Sequence, residues 1–71
     1  MKTYLVRDNE TLEPKAFIHA TNSLNAAVHM RVNFVNQPVH LWNIENWTFE
    51  QKAEALLEII ANCPTSQVIH T

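Results

Sequence analysis

The sequence predicts a small α+β domain, a mainly antiparallel sheet with two helices on one face, in the order β-β-α-β-α-β. Three observations predict it. Residues 2–7 and 15–20 are short apolar runs separated by a polar, proline-marked connection, as adjacent antiparallel strands are. Two later stretches, opening at Asn22 and Thr48, repeat apolar residues at helical spacing behind a capping residue. The third is size: 71 residues, 46% apolar and 17% charged, have the composition of a folded chain and room for one domain, residues 1–71.

In chain order, Tyr4, Leu5 and Val6 centre the first strand. Residues 8–14 connect it to the second, and Asp8 and Asn9 are the residues expected to take the turn conformations that most side chains resist. In the second strand Ala16, Ile18 and Ala20 share one face while Phe17 and His19 share the other. Asn22 is the expected N-cap of a helix whose apolar stripe is Leu24, Ala27, Val28, Val32 and Val35, widened by Met30 and Phe34. Pro38 disfavours helix at Gln37 and so ends it near residues 35–36. Residues 39–44 alternate and form a third strand. Thr48-Phe49-Glu50-Gln51 matches a capping box. The helix behind it has the stripe Phe49, Ala53, Leu56, Leu57 and Ile60 and closes at Pro64, and residues 67–70 form a last short strand.

The chain contains no glycine, where average usage would supply about five. Glycine is what lets backbone close tightly around a phosphate, so the Walker loop, the dinucleotide fingerprint and the nucleophile elbow are excluded in their usual forms. His19, His29, His40 and His70 fall in four different predicted elements at separations that match no short metal-ligand motif, and no metal is expected. Cys63 is the single cysteine, cannot form an internal disulfide, and sits where a small buried thiol belongs. Neither Ser23 nor Ser66 lies in a nucleophile motif. The expectation is a protein without enzymatic activity and without a cofactor. A lone cysteine, with no apolar leader and no run long enough to cross a membrane, leads to a cytoplasmic location.

Two surfaces stand out as candidate binding sites. Glu50, Glu54 and Glu58 stand four apart and line one face of the second helix, answered nearby only by Lys52. Like charges at that spacing cost a few tenths of a kcal/mol per pair, roughly, unless a cationic surface meets them. Trp42 and Trp47 fall within a few residues of His40 and Leu41, and tryptophan is enriched at binding hot spots. One indole is expected to fill the core, with Trp47 the more exposed of the two. The five basic residues, Lys2, Arg7, Lys15, Arg31 and Lys52, are scattered singly in a chain of net charge -2, so the basic stripe of a nucleic-acid binder is missing.

Residues 1–8 and the stretch from Ala20 to His29 give the chain a likeness to a loose group of small phage and prophage accessory proteins. Those begin with a similar Met-Lys-Thr-Tyr strand and Arg-Asp turn, and then run through a strand, an alanine-rich helix, a strand, a helix and a short last strand. This chain differs from them at residues 42–47 and in having no glycine before its last strand. Some small phage proteins of this layout are anti-CRISPR proteins. The resemblance therefore implies a stoichiometric binder of a host or defence complex, and it brings no catalytic residue with it. The resulting expectation is a protein-binding accessory protein that blocks a basic surface, such as that of a nucleic-acid-guided complex, with Glu50, Glu54 and Glu58 supplying attraction and Trp42 or Trp47 an apolar anchor. Two alternatives stand beside it: a small homodimeric structural or regulatory protein, and a weak nucleic-acid binder using Arg7, Lys15 and Arg31 from the sheet side.

Overall fold

Strand β1 (Lys2–Asp8) carries Tyr4, Leu5 and Val6 in succession, and all three are almost wholly buried. Successive strand side chains point to opposite faces, so three buried neighbours mean that both faces of β1 are covered. Strand β2 (Pro14–Ala20) repeats the pattern with Ala16, Phe17 and Ile18. The computed structural model describes residues 1–62 and 68–70. It shows how the cover is supplied. The remaining elements are α1 (Ser23–Asn33), β3 (Val39–Asn43), α2 (Phe49–Asn62) and β4 (Val68–His70). The strand order is β3-β1-β2-β4. β1 pairs antiparallel with both β2 and β3, and the three-residue β4 runs parallel to β2.

The fold is small α+β, with an antiparallel core of three strands and two helices. The helices, however, lie on opposite faces of the sheet, and the expectation of one shared face is corrected. Tyr4, Val6, Ile18 and Ala20 pack with Ala26 and Met30 of α1 on one side, joined by Val39, Phe34 and Leu41. Leu5 and Phe17 pack with Ala55 and Ile59 of α2 on the other, joined by Ile44, Trp47 and Leu56. The physical reason is in β1 and β2 themselves. With apolar side chains on both faces, two helices on one side would leave Leu5 and Phe17 in water, at about 1.5–3 kcal/mol for each large apolar side chain.

Helix caps are where the sequence placed them. Asn22 Oδ1 accepts from the Asn25 amide at 2.8 Å. In the capping box, Thr48 Oγ1 accepts from the Gln51 amide at 3.2 Å while Gln51 Oε1 accepts from the Thr48 amide at 2.9 Å. The core-facing stripes match only in part: Met30 and Phe34 at the α1 end and Leu56 on α2 pack on the core as expected, and the rest of each stripe is displaced. On α1, Ala26 and Met30 are buried, while Leu24, Val28, Val32 and Val35 face outward. On α2, Ala55 and Ile59 are buried, while Phe49, Leu57 and Ile60 face outward. Each helix is apolar around much of its circumference, so periodicity alone does not select a face. The two-residue link from Ala20 to Ser23 and the anchoring of residues 44–47 fix the rotation instead. α1 also stops at Asn33, short of the expected end, with Phe34 as its C-cap and its amide bonded to the Met30 carbonyl.

Turns without glycine use side-chain support. Asp8 Oδ1 accepts from the amides of Glu10 and Thr11 at 2.8 and 3.0 Å. The residue in the left-handed region is Leu12, at φ 61°, rather than Asp8 or Asn9. Asn36 takes the same conformation after α1. For leucine this conformation costs about 1–2 kcal/mol. The expectations for Cys63, Pro64, Ser66 and Gln67 lie outside the described residues.

Two predictions follow from packing and from the turn. Ile59→Ala is expected to lower unfolding free energy by about 2–5 kcal/mol, and Leu57→Ala by less than about 0.5 kcal/mol, as read by urea denaturation; equal losses would return the stripe to the core. The amides of Thr11 and then Glu10 hold the Asp8 carboxyl below its ordinary value. A depressed carboxyl contributes stability above its unfolded-state pKa and loses it as pH falls through the lower folded value. Asp8→Asn is therefore expected to show a shallower decline of stability on the acid side, measured by thermal melts across pH.

Candidate protein-binding face

The site is built on the α2 side of the sheet. Arg7 shares that face with Leu5, two residues back along β1, and the β1–β2 register shifts between Val6 and Arg7, an irregularity of the kind that re-aims a side chain. Across the other edge of β1, Leu5 is opposite Trp42 and Arg7 is opposite His40. Trp47 enters from the connection between β3 and α2, its amide donating to the Ile44 carbonyl at 3.0 Å. These placements bring both indoles to one guanidinium. Arg7 Cζ lies 4.7 Å from the Trp42 ring centroid and 5.2 Å from that of Trp47. Such contacts are worth about 0.5–1 kcal/mol when exposed and about 2 when desolvated. Arg7 Nε is buried and has no hydrogen-bond partner among the described residues.

Beside this cluster lies a cleft of about 270 Å³ lined by Arg7, Trp47, Gln51, Glu54, Ala55 and Glu58. Two surfaces that the sequence presents separately, the acidic side of α2 and the tryptophan segment, thus share one wall. Trp47, Glu54 and Glu58 line the cleft directly, and Trp42 joins them through Arg7. Glu50 does not line it. That residue stands exposed in the first turn of α2, where its charge favours the helix dipole. Neither indole is fully buried: Trp42 is 38% exposed and Trp47 is half-buried against the Leu5–Ile59 cluster. The expectation that one fills the core and that Trp47 is the more exposed is corrected, because Trp47 follows Ile44 into the α2-side core while Trp42 stands on the open edge strand.

Arg7 is the residue that the sequence reading left out of this site. Its signal was present in the alternation that puts it on the face of Leu5, but its neighbours become visible only once β3 is paired with β1. Arg7, Lys15 and Arg31 do not share a surface, since Arg31 belongs to α1 on the opposite side of the sheet. Lys15 instead lies 3.7 Å from the Glu13 carboxylate, a surface pair worth about 0–1 kcal/mol. Among the described residues no three of His, Cys, Asp and Glu gather closely enough to hold a metal ion, and no helix is long and apolar enough to cross a membrane. A planar cation against two indoles, with the Glu54 and Glu58 carboxylates lining the same cleft, makes a mixed-charge, aromatic surface.

Comparison of the chain with protein-family models, curated proteins and solved structures finds no match. Arg7→Met keeps an unbranched stem and removes the guanidinium and its charge. It is expected to lower stability by about 1 kcal/mol and to shift tryptophan emission, measured together in one fluorescence-detected urea titration. An unchanged emission maximum would mean that the guanidinium does not sit between the rings in solution.

Proposed function

We propose that this protein is a non-enzymatic binding module that docks the α2 side of its sheet onto a basic protein surface. The observation that carries the reading is the convergence of Trp47, Glu54 and Glu58 on one cleft, with Trp42 adjoining through Arg7. Interfaces combine aromatic anchors with complementary charge, the anchors supplying affinity and the charge supplying steering and partner choice. α2 also exposes large apolar side chains: Leu57, next to Glu50 and Glu54 at helical spacing, is 66% exposed, and Phe49 and Ile60 stand exposed on the flank away from the cleft. A large exposed apolar side chain set among carboxylates has the make-up of a docking surface rather than of a solvated helix.

The specific form of this reading is the one implied by the phage-protein resemblance, an inhibitor that occupies a basic groove on a host defence complex, in the manner of an anti-CRISPR protein. The acidic α2 face supports it, because a groove that holds nucleic acid is lined with Lys and Arg. A short arginine-rich peptide serves as the probe. Titration at low ionic strength is expected to quench the fluorescence of Trp42 and Trp47, with an affinity that falls as salt rises. Joint substitution Glu50→Lys, Glu54→Lys and Glu58→Lys is expected to abolish the quenching and leave the far-ultraviolet circular dichroism unchanged. Binding that survives the triple substitution would sink the acidic-face mechanism.

A further inference from the structure

β3 is an edge strand, and one side of its backbone is unpaired among the described residues. Which side is fixed by the ladder. The Ile44 amide donates to the Thr3 carbonyl at 3.3 Å and the Asn9 amide to the Pro38 carbonyl at 2.8 Å. With the observed register of β1 and β3, the bonds to β1 therefore come from Pro38, His40, Trp42 and Ile44, every second residue. The N–H and C=O groups of Leu41 and Asn43, and the C=O of Val39, point away from the sheet. The Val39 amide turns back to the Gln37 carbonyl at 3.0 Å.

Sheet edges are ordinarily guarded by a charged side chain, a proline or an irregularity. Val39-His40-Leu41-Trp42-Asn43 has no Lys, Arg, Asp, Glu or Pro. A groove of about 340 Å³ touches His40, Leu41 and Trp42 together. Three successive strand residues alternate between faces, so a concavity that reaches all of them runs along the open edge. Leu12 and Asn9 close one end of it. Leu12 is the residue held at φ 61° in a left-handed turn, with half of its surface exposed. A bulky apolar residue in a conformation that glycine takes without strain, aimed into an apolar groove, is the kind of backbone outlier that accompanies a binding role.

We infer that this edge pairs with the same edge of a second copy, antiparallel and centred on Leu41. That register is in phase with the free groups. Leu41 of each copy exchanges both hydrogen bonds with Leu41 of the other, and Val39 of each lies opposite Asn43 of the other. Trp42 then faces the second copy's position 40 in a close, non-hydrogen-bonded pair on the α2 side. Charge favours the same arrangement. The strands bring no charge to the contact, and antiparallel pairing sends the two copies of Glu45 to opposite ends, about 27 Å apart at 3.4 Å per residue. Parallel pairing would set them side by side. A basic partner, by contrast, would find no counter-charge on β3. The contact uses one five-residue strand, Leu12, Leu41 and Trp42, so it falls at the small end of the interface range and makes a weak, two-fold dimer that closes on itself. The inference does not rest on the basic-partner reading, since α2 takes no part in it, and Trp42 is the one residue the two surfaces share.

Sedimentation velocity over a concentration series is expected to show monomer passing to dimer, with amide exchange at Leu41 and Asn43 slowing as dimer forms. Asn43→Pro removes an outward N–H while sparing the ladder to β1, and is expected to weaken dimerisation about tenfold. Leu12→Gly separates binding from folding, because it is expected to raise the urea midpoint of the monomer and yet weaken the dimer. A chain that stays monomeric at every concentration overturns the inference. So does a dimer whose Leu41 and Asn43 amides exchange as fast as in the monomer, which would point to the outward faces of α1 or α2. Should Asn43→Pro fail to fold, the exchange rates of the unmodified chain decide between these outcomes.

Discussion

Burial of β1 on both faces is the constraint from which the rest of the molecule follows. Tyr4 and Val6 need one cover and Leu5 needs another, and the described residues supply one helix to each side. β1 must therefore lie inside the sheet, between β2 and β3, because an edge position would leave one row of its backbone groups in an otherwise apolar setting. The position of α2 is then set, and with it the candidate face. Only a helix on the Leu5 side brings its acidic flank next to Arg7, since Arg7 and Leu5 share that face of β1. Fold and candidate site are thus two consequences of the same three-residue run.

Covering both faces with single helices has an energetic corollary. A helix alone on a face buries only a narrow stripe, and the two here bury it with few large side chains: Ala26 and Met30 on α1, Ala55 and Ile59 on α2. The other apolar residues of both helices remain in contact with water. Burial on the inner side outweighs that exposure in setting the rotation, helped by caps that fix where each helix begins. The small net charge of the chain does little to keep such surfaces apart.

How much of this was legible in the sequence depends on the range of the interactions involved. The helix starts at Asn22 and Thr48 were legible because a cap is a local contact between residues three apart. The strands were legible from alternation and from their polar boundaries. The face of each helix was not, because Leu24-Val28-Val32 and Ala26-Met30-Phe34 are both well-spaced stripes and only the packed sheet distinguishes them. The same holds for the site. Glu54, Glu58, Trp42 and Trp47 could be named from residue type, whereas Arg7 acquires its role through a strand pairing that spans more than thirty positions. The turn at Leu12 was illegible for a different reason. Its strain contradicts local preference, and such contradictions collect where a surface is used.

The placement of β1 also sets a timetable for synthesis. β2 follows β1 closely, so the hairpin forms from local contacts. Its Leu5 and Phe17 gain their α2 cover only when Ala55 and Ile59 arrive. At a translation rate of about 5–20 residues per second, the roughly forty residues between hairpin and cover take about 2–8 seconds. Throughout that interval the nascent hairpin shows the apolar face of Leu5 and Phe17, and its β1 edge stays open until β3 is made. Any factor that shields short apolar strands would meet this chain at its most exposed during that window.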